Sequence, residues 1–192
     1  MINGSVSVSS SGNGLSGIME SLKNLSKIDV LVGILEEESS REGGKVTNAE
    51  LAFIHSNGSP LNNIPARPFI EPAIEDPENA EMIAVELRKA VESALAGKLD
   101  AMSKALVKAG KQGQNAARDW FTNPKNGWAP NSPYTVLQKI KKKRDSTSRA
   151  IVRYVAEGGS LSNITGLEGM TQVLIDTDQL RKAVTFVVRE KD

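Results

Sequence analysis

The chain holds 192 residues, with 24 basic and 23 acidic side chains for a formal net charge of +1, no cysteine and only 4% aromatics. That length suits one domain with attached arms, and the missing thiols exclude disulfide staples, thiolate metal sites and cysteine nucleophiles. The near-neutral balance gives no argument for a nucleic-acid partner, and with so few rings the core must rest on Leu, Ile, Val and Ala.

Residues 1–17 read MINGSVSVSSSGNGLSG. Such small polar residues bury too little area to offset ordering entropy, so this stretch is expected to be a flexible arm in isolation. They also lack the basic-then-apolar pattern of a signal peptide. No later stretch is long and apolar enough to cross a bilayer, so the expectation is a soluble protein made and used in a cytoplasm, without a membrane partner. A short helix at about residues 17–25 would place Ile18, Leu22 and Leu25 on one face. KIDVLVGILE, residues 27–36, is the clearest strand of the first half, and EEESSREGGK then makes a loop or hairpin tip around Gly44.

Thr47 and Glu50 have the spacing of a capping box, which starts a helix that buries Leu51, Ile54 and Phe53 and stops at Gly58. Five of the eight prolines (Pro60, Pro65, Pro68, Pro72 and Pro77) crowd the next stretch. It therefore reads as an extended connector, neither central strand nor helix, anchored by Phe69 and Ile70. Pro77 is placed to start a long helix. Ile83, Leu87, Val91 and Leu95 form its apolar stripe, and Leu99, Met102 and Leu106 continue it. It runs either unbroken toward Phe121 or as two helices kinked near Gly97. Trp128 anchors the turn-rich TNPKNGWAPNSPYT. Residues 135–143 read as a short amphipathic helix or an extended basic arm, AIVRYVA as a strand or helical turn, and the Gly-rich remainder as loop. A short helix DQLRKAV and a terminal strand TFVVRE close the chain.

The fold class expected is α+β: a small antiparallel or mixed sheet packed against one long helix, with flexible N-terminal and internal arms. The expected organisation is an arm over residues 1–17 and one domain over 18–192, carrying a basic, Gly-rich insertion at about 139–172.

Chemistry-bearing patterns are few. His55 is the only histidine and cannot form a catalytic pair with itself, so it reads as structural. The acidic run Glu36, Glu37 and Glu38, and the acids Asp76 and Glu78, read as solvation and helix-dipole complementarity. Phosphate-loop and dinucleotide fingerprints are absent from the sequence. No catalytic, metal-binding or cofactor-binding residue is assigned and no cofactor is expected. The main electrostatic feature is the run Lys139, Lys141, Lys142, Lys143 and Arg144, with Arg149 and Arg153 beyond it. It is a candidate for contact with DNA phosphates or with another subunit, although the absence of an interleaved aromatic weakens a stacking mode.

Two sets of segments go further. GSPLNNIPARPFIEPAIE, residues 58–75, precedes the long helix, and WAPNSPYTVLQKIKK and LIDTDQLRKAVTFVV follow it. In this order they resemble the virion-morphogenesis and tail-completion proteins of tailed phages, the gp10-like neck group. The matching residues are Ile64, Pro65, Ala66, Arg67, Pro68 and Phe69, then Trp128, Pro130, Thr135 and Lys139, then Leu174, Ile175, Asp176, Thr177 and Leu180. The resemblance departs at Asp178, where that pattern has Gly, and in a longer stretch between the last two segments. It implies a structural virion component acting in tail completion and head–tail joining, with tail termination or DNA binding through residues 139–144 as alternatives. It further implies a symmetric homo-oligomeric ring, expected as a hexamer, partnered with other neck and tail proteins. The location implied is the head–tail junction or tail, and the host cytoplasm during assembly. Within it, Pro65 and Pro68 stiffen an extended segment, Phe69 pins it, Arg67 bridges a carboxylate or backbone carbonyl, and Asp176 or Thr177 caps the last helix.

Overall fold

In a computed structural model, residues 13–41 and 46–191 are described. The elements in chain order are α1 (Asn13–Leu25), β1 (Ile28–Gly33), α2 (Asn48–Asn57), α3 (Glu71–Glu75), α4 (Pro77–Leu95), α5 (Leu99–Asp119), α6 (Pro133–Lys143), α7 (Ser146–Ala156), α8 (Glu168–Thr171), α9 (Gln179–Ala183) and β2 (Thr185–Glu190). Helices dominate, and β1 and β2 form a two-stranded antiparallel sheet, so the fold is α+β. Of the expected arm, residues 1–12 lie outside the described residues, as does the tip at Gly44, while residues 13–17 open α1. The span read as one domain is laid out as two compact units.

The first unit is drawn from the stretch ending at Val32, from Pro77–Gly113 and from the stretch beginning at Phe186. Its core is Ala90 and Ala94 of α4 against Met102, Ala105 and Leu106 of α5, with Leu25, Ile28, Val30 and Val188 packed on them. The Lys191 backbone N–H donates to the Lys27 carbonyl at 2.6 Å, which ties the end of β2 to the start of β1. The helical run from Pro77 is in two pieces, divided at Gly97 (φ +70°), the kinked alternative of the sequence reading. The apolar stripe is corrected in part: Met102 and Leu106 are buried as expected, but its earlier residues turn outward. Leu87, Val91, Leu95 and Leu99 are 38–56% exposed, while Ala90 and Ala94 are buried. Alanine has no side-chain entropy to lose and lets backbones approach, so in α4 the small residues took the packed face and Leu87, Val91 and Leu95 the outer one.

Gly110 and Gly113 do not break α5. A Cβ at Gly110 would lie 2.2 Å from Cδ2 of Phe186, and one at Gly113 would lie 2.8 Å from Cγ2 of Val32. These glycines are where strand side chains press against the helix backbone.

The second unit comprises Gly33–Asp76 and Gln114–Thr185. The capping box forms in full: Thr47 N–H donates to Glu50 Oε2 at 2.8 Å and Glu50 N–H to Thr47 Oγ1 at 3.2 Å. The Thr47 N–H and the Thr47 hydroxyl, which donates to the same Oε2 at 3.0 Å, favour the carboxylate and hold Glu50 below its usual pKa. α2 buries Asn48 and Ala52, whereas Phe53, expected inside, is 71% exposed. The proline segment is not extended throughout. A 3₁₀ turn at Pro60–Asn62 and α3 interrupt it, each with proline in its first turn, where the missing N–H costs nothing. Of the alternatives read for residues 135–143 and for AIVRYVA, the helical ones form, as α6 and α7, where an internal arm was also expected. Ser132 caps α6, Asp145 caps α7, and Val136, Ile140 and Leu167 form a local core with Ile151, Val152 and Leu161 packed against it. Internal packing and caps, invisible as periodicity in so short a basic run, decide this.

Candidate functional site

Pro65 and Pro68 stiffen the strap that carries Arg67 and Phe69. Phe69 is fully buried; its ring centroid lies 4.8 Å from that of Phe121, which meets Trp128 edge-on at 5.8 Å. The Trp128 indole N–H donates to the Pro68 carbonyl at 3.1 Å. Arg67 Nη2 donates to the carbonyls of Ala129 at 2.9 Å and Pro130 at 3.3 Å, and its backbone N–H donates to the His55 carbonyl at 2.6 Å. Of the two partners expected for Arg67, backbone carbonyls are the ones it meets. The fork geometry of a guanidinium suits two adjacent carbonyls on one chain segment.

Beside this strap lies a groove of about 570 Å³ within the second unit. It is lined by Leu51 and His55 of α2 and by Ile64, Pro65 and Arg67 of the strap. Gln138, Lys139 and Lys142 of α6 and Leu174, Asp176 and Leu180 of the last segment also line it. Arg41 stands at its edge and donates to Asn48 Oδ1 at 3.3 Å.

The charged residues divide into two groups. Lys139 Nζ donates to the carbonyls of Gln172 at 2.7 Å and Ile175 at 2.6 Å, and burial lowers its pKa. Lys142 pairs with Asp176. Two of the five basic residues singled out in the sequence are thus used inside the unit, while Lys141, Lys143 and Arg144 are exposed. Arg144 ends α6 in the left-handed region, at φ +55°. Lys141, Arg144 and Arg149 surround a separate hollow of about 360 Å³ with Ser148 and Val152.

Among the described residues, His55 Nδ1 and Arg67 Nε are buried without a hydrogen-bond partner. Burial first, then the charges of Arg67 and Arg41, push the His55 pKa down to about 4, so the ring is neutral near pH 7. Among the described residues, no cluster of three or more His, Asp or Glu side chains is placed to hold a metal ion.

The expected cap of the last helix is corrected. Asp176 is held by Lys142, and the residue preceding α9 is Asp178, at φ +60° with no side-chain cap bond. Its carboxylate instead takes Arg181 Nε at 2.8 Å and Nη2 at 3.2 Å. Besides Gly, Asp is one of the few residues that adopt a left-handed position, so Asp178 is tolerated there. Thr177 is exposed on the groove, and Leu180 is buried.

Sequence reasoning missed Arg41, Gln114 and Arg118. Gln114 Nε2 and Arg118 Nε both donate to the Val184 carbonyl at 3.0 Å, and Arg118 Nη2 donates to the Lys182 carbonyl at 2.8 Å. Their spacing of four on one helix was the available signal. No family model, curated protein or solved structure matches the chain.

Proposed function

We propose that this chain is a structural subunit of a tailed phage virion, acting in tail completion and head–tail joining, and not a catalyst. The reading assembles it as a symmetric ring, expected as a hexamer, at the neck, with other neck and tail proteins on either side. One observation carries it. The three segments that bear the resemblance, far apart in sequence, are knitted together by hydrogen bonds from Arg67 to Ala129 and Pro130, Trp128 to Pro68, and Lys139 to Gln172 and Ile175. Motif residues that spend their polar atoms on one another's backbone are scaffold residues, the role this family resemblance gives them. The row Leu87, Val91 and Leu95, exposed four apart on α4, adds a surface suited to burial against a neighbour.

Electron microscopy of particles assembled with an early stop codon in this gene tests the reading. Filled heads beside separate tails of normal length are expected. Tails of irregular length would make it a terminator, and normal infectious particles would end the structural reading. In purified protein, Leu87→Asp with Val91→Asp is expected to leave the melting temperature within a few degrees while removing any ring seen by analytical ultracentrifugation.

A second reading is DNA contact, favoured by the gathering of Lys141, Arg144 and Arg149 around one hollow. It requires affinity that falls steeply with salt and is lost on changing those three residues to Ala. Binding indifferent to the triple change would remove it.

A further inference from the structure

We infer that the groove of the second unit is a binding site for a carboxylate carried on a short apolar stem. Arg67 is the first ground. It is only 7% exposed, yet among the described residues its guanidinium meets carbonyls alone; its Nε is buried without a partner among them, and the residue lines the groove. A buried cation without an anion is costly, and it is retained where a counter-charge arrives from outside. The second ground is the company it keeps. Arg41, whose hydrogen-bond acceptor among the described residues is the neutral amide of Asn48, and His55, whose Nδ1 has no partner among them, line the same space. Arg41, Arg67, Lys139 and Lys142 outnumber the lining acids Asp176 and Asp178, and both acids are already paired within the unit.

The remaining walls select the kind of anion. Leu51, Ile64, Pro65, Leu174 and Leu180 offer apolar surface for an alkyl stem. The two rim aspartates repel a dianion more than a monoanion. The exposed cations that would track a phosphate backbone, Lys141 and Arg144, line the separate hollow and not this groove. A carboxylate with a two- to four-carbon body therefore fits better than a phosphate, whether it comes from an acidic side chain or a free acid. The inference does not depend on the virion reading.

The test uses the full chain, ¹⁵N-labelled, at constant ionic strength. The Arg67 Nε–H resonance is followed during titration with acetate, butyrate, N-acetyl-glutamic acid amide and inorganic phosphate. Saturable shifts by the carboxylates are expected, with butyrate the tighter of the two simple acids because it reaches the apolar walls. Arg41→Gln, at the groove edge and outside the Arg67 bonds, is expected to weaken them about tenfold, one charged hydrogen bond's worth, with its melting temperature checked alongside. Binding of the glutamate amide as well as butyrate points to a protein-borne acid, and rejection of the amide with butyrate bound points to a free one. A resonance unmoved by any carboxylate, or moved by phosphate alone, overturns the inference.

Discussion

Arg67 shows what a buried cation does when its neighbours are carbonyls. Arg67→Ala would strip the Ala129 and Pro130 carbonyls of their donor, and Arg67→Lys would keep the charge but lose the fork. The alanine change is expected to cost roughly 2–4 kcal/mol, read by urea melting, with lysine recovering less than half. His55 makes a pH prediction. Its pKa is about 4 in the folded chain and 6.5 unfolded, so between these values the unfolded chain binds more protons and stability rises with pH. The contribution is fully present above 6.5 and is lost as pH falls toward 4. After discounting for solvent screening of a half-buried ring, the loss is at most about 2 kcal/mol. His55→Gln should flatten the slope in that window, and an unchanged slope would assign it to other groups. Asp178, at φ +60°, gives a third case. Asp178→Gly trades the Arg181 pair for relief of left-handed strain and should be near neutral, while Asp178→Ala should be less stable than Gly by about 1 kcal/mol in thermal melts.

At the scale of elements, glycine reverses its usual sign. A Gly→Ala change inside a helix normally stabilises by about 0.5–1 kcal/mol. In α5 the added methyl at Gly110 would strike the Phe186 ring at 2.2 Å, a clash worth about 1–3 kcal/mol in the other direction. Gly110→Ala should therefore lower the denaturation midpoint, and Phe186→Leu beside it should restore part of the loss. Much at this scale was legible in sequence. The Thr47–Glu50 box, the stop at Gly58, the strand 185–190 and the break at Gly97 are each set by residues within a turn of one another. What was not legible depended on partners elsewhere in the chain. The outward turn of Leu87, Val91 and Leu95 follows from which face Met102, Ala105 and Leu106 reach, and period alone does not choose between two apolar faces. For α6 and α7 the sequence left helix and arm or strand open, because their cores draw on Leu161 and Leu167, well downstream.

Across the whole molecule, the candidate site was half visible. The strap at Pro65–Phe69, Trp128 and the 174–180 segment were marked in advance, and they do line or brace the groove. Arg41 was not, since a single polar residue in a loop carries no sign of the amide it will meet. The basic run read as one patch but serves three purposes: internal bonds for Lys139 and Lys142, a helix end for Arg144, and exposure for Lys141 and Lys143.

The sheet joins β1 near one end of the described chain to β2 near the other, with both long helices and nearly all of the second unit lying between them in sequence. Closing so long a loop delays any reward from that pairing, so the sheet should form late, after local helices and caps. Interactions absent from the folding barrier act on escape from the native state instead. Val188→Ala, which trims the strand side chain packed on the Ala90 cluster, should accordingly quicken unfolding in stopped-flow measurements and leave the refolding rate nearly untouched. The two strands would then act as a latch, setting how long the first unit stays closed more than how fast it is made.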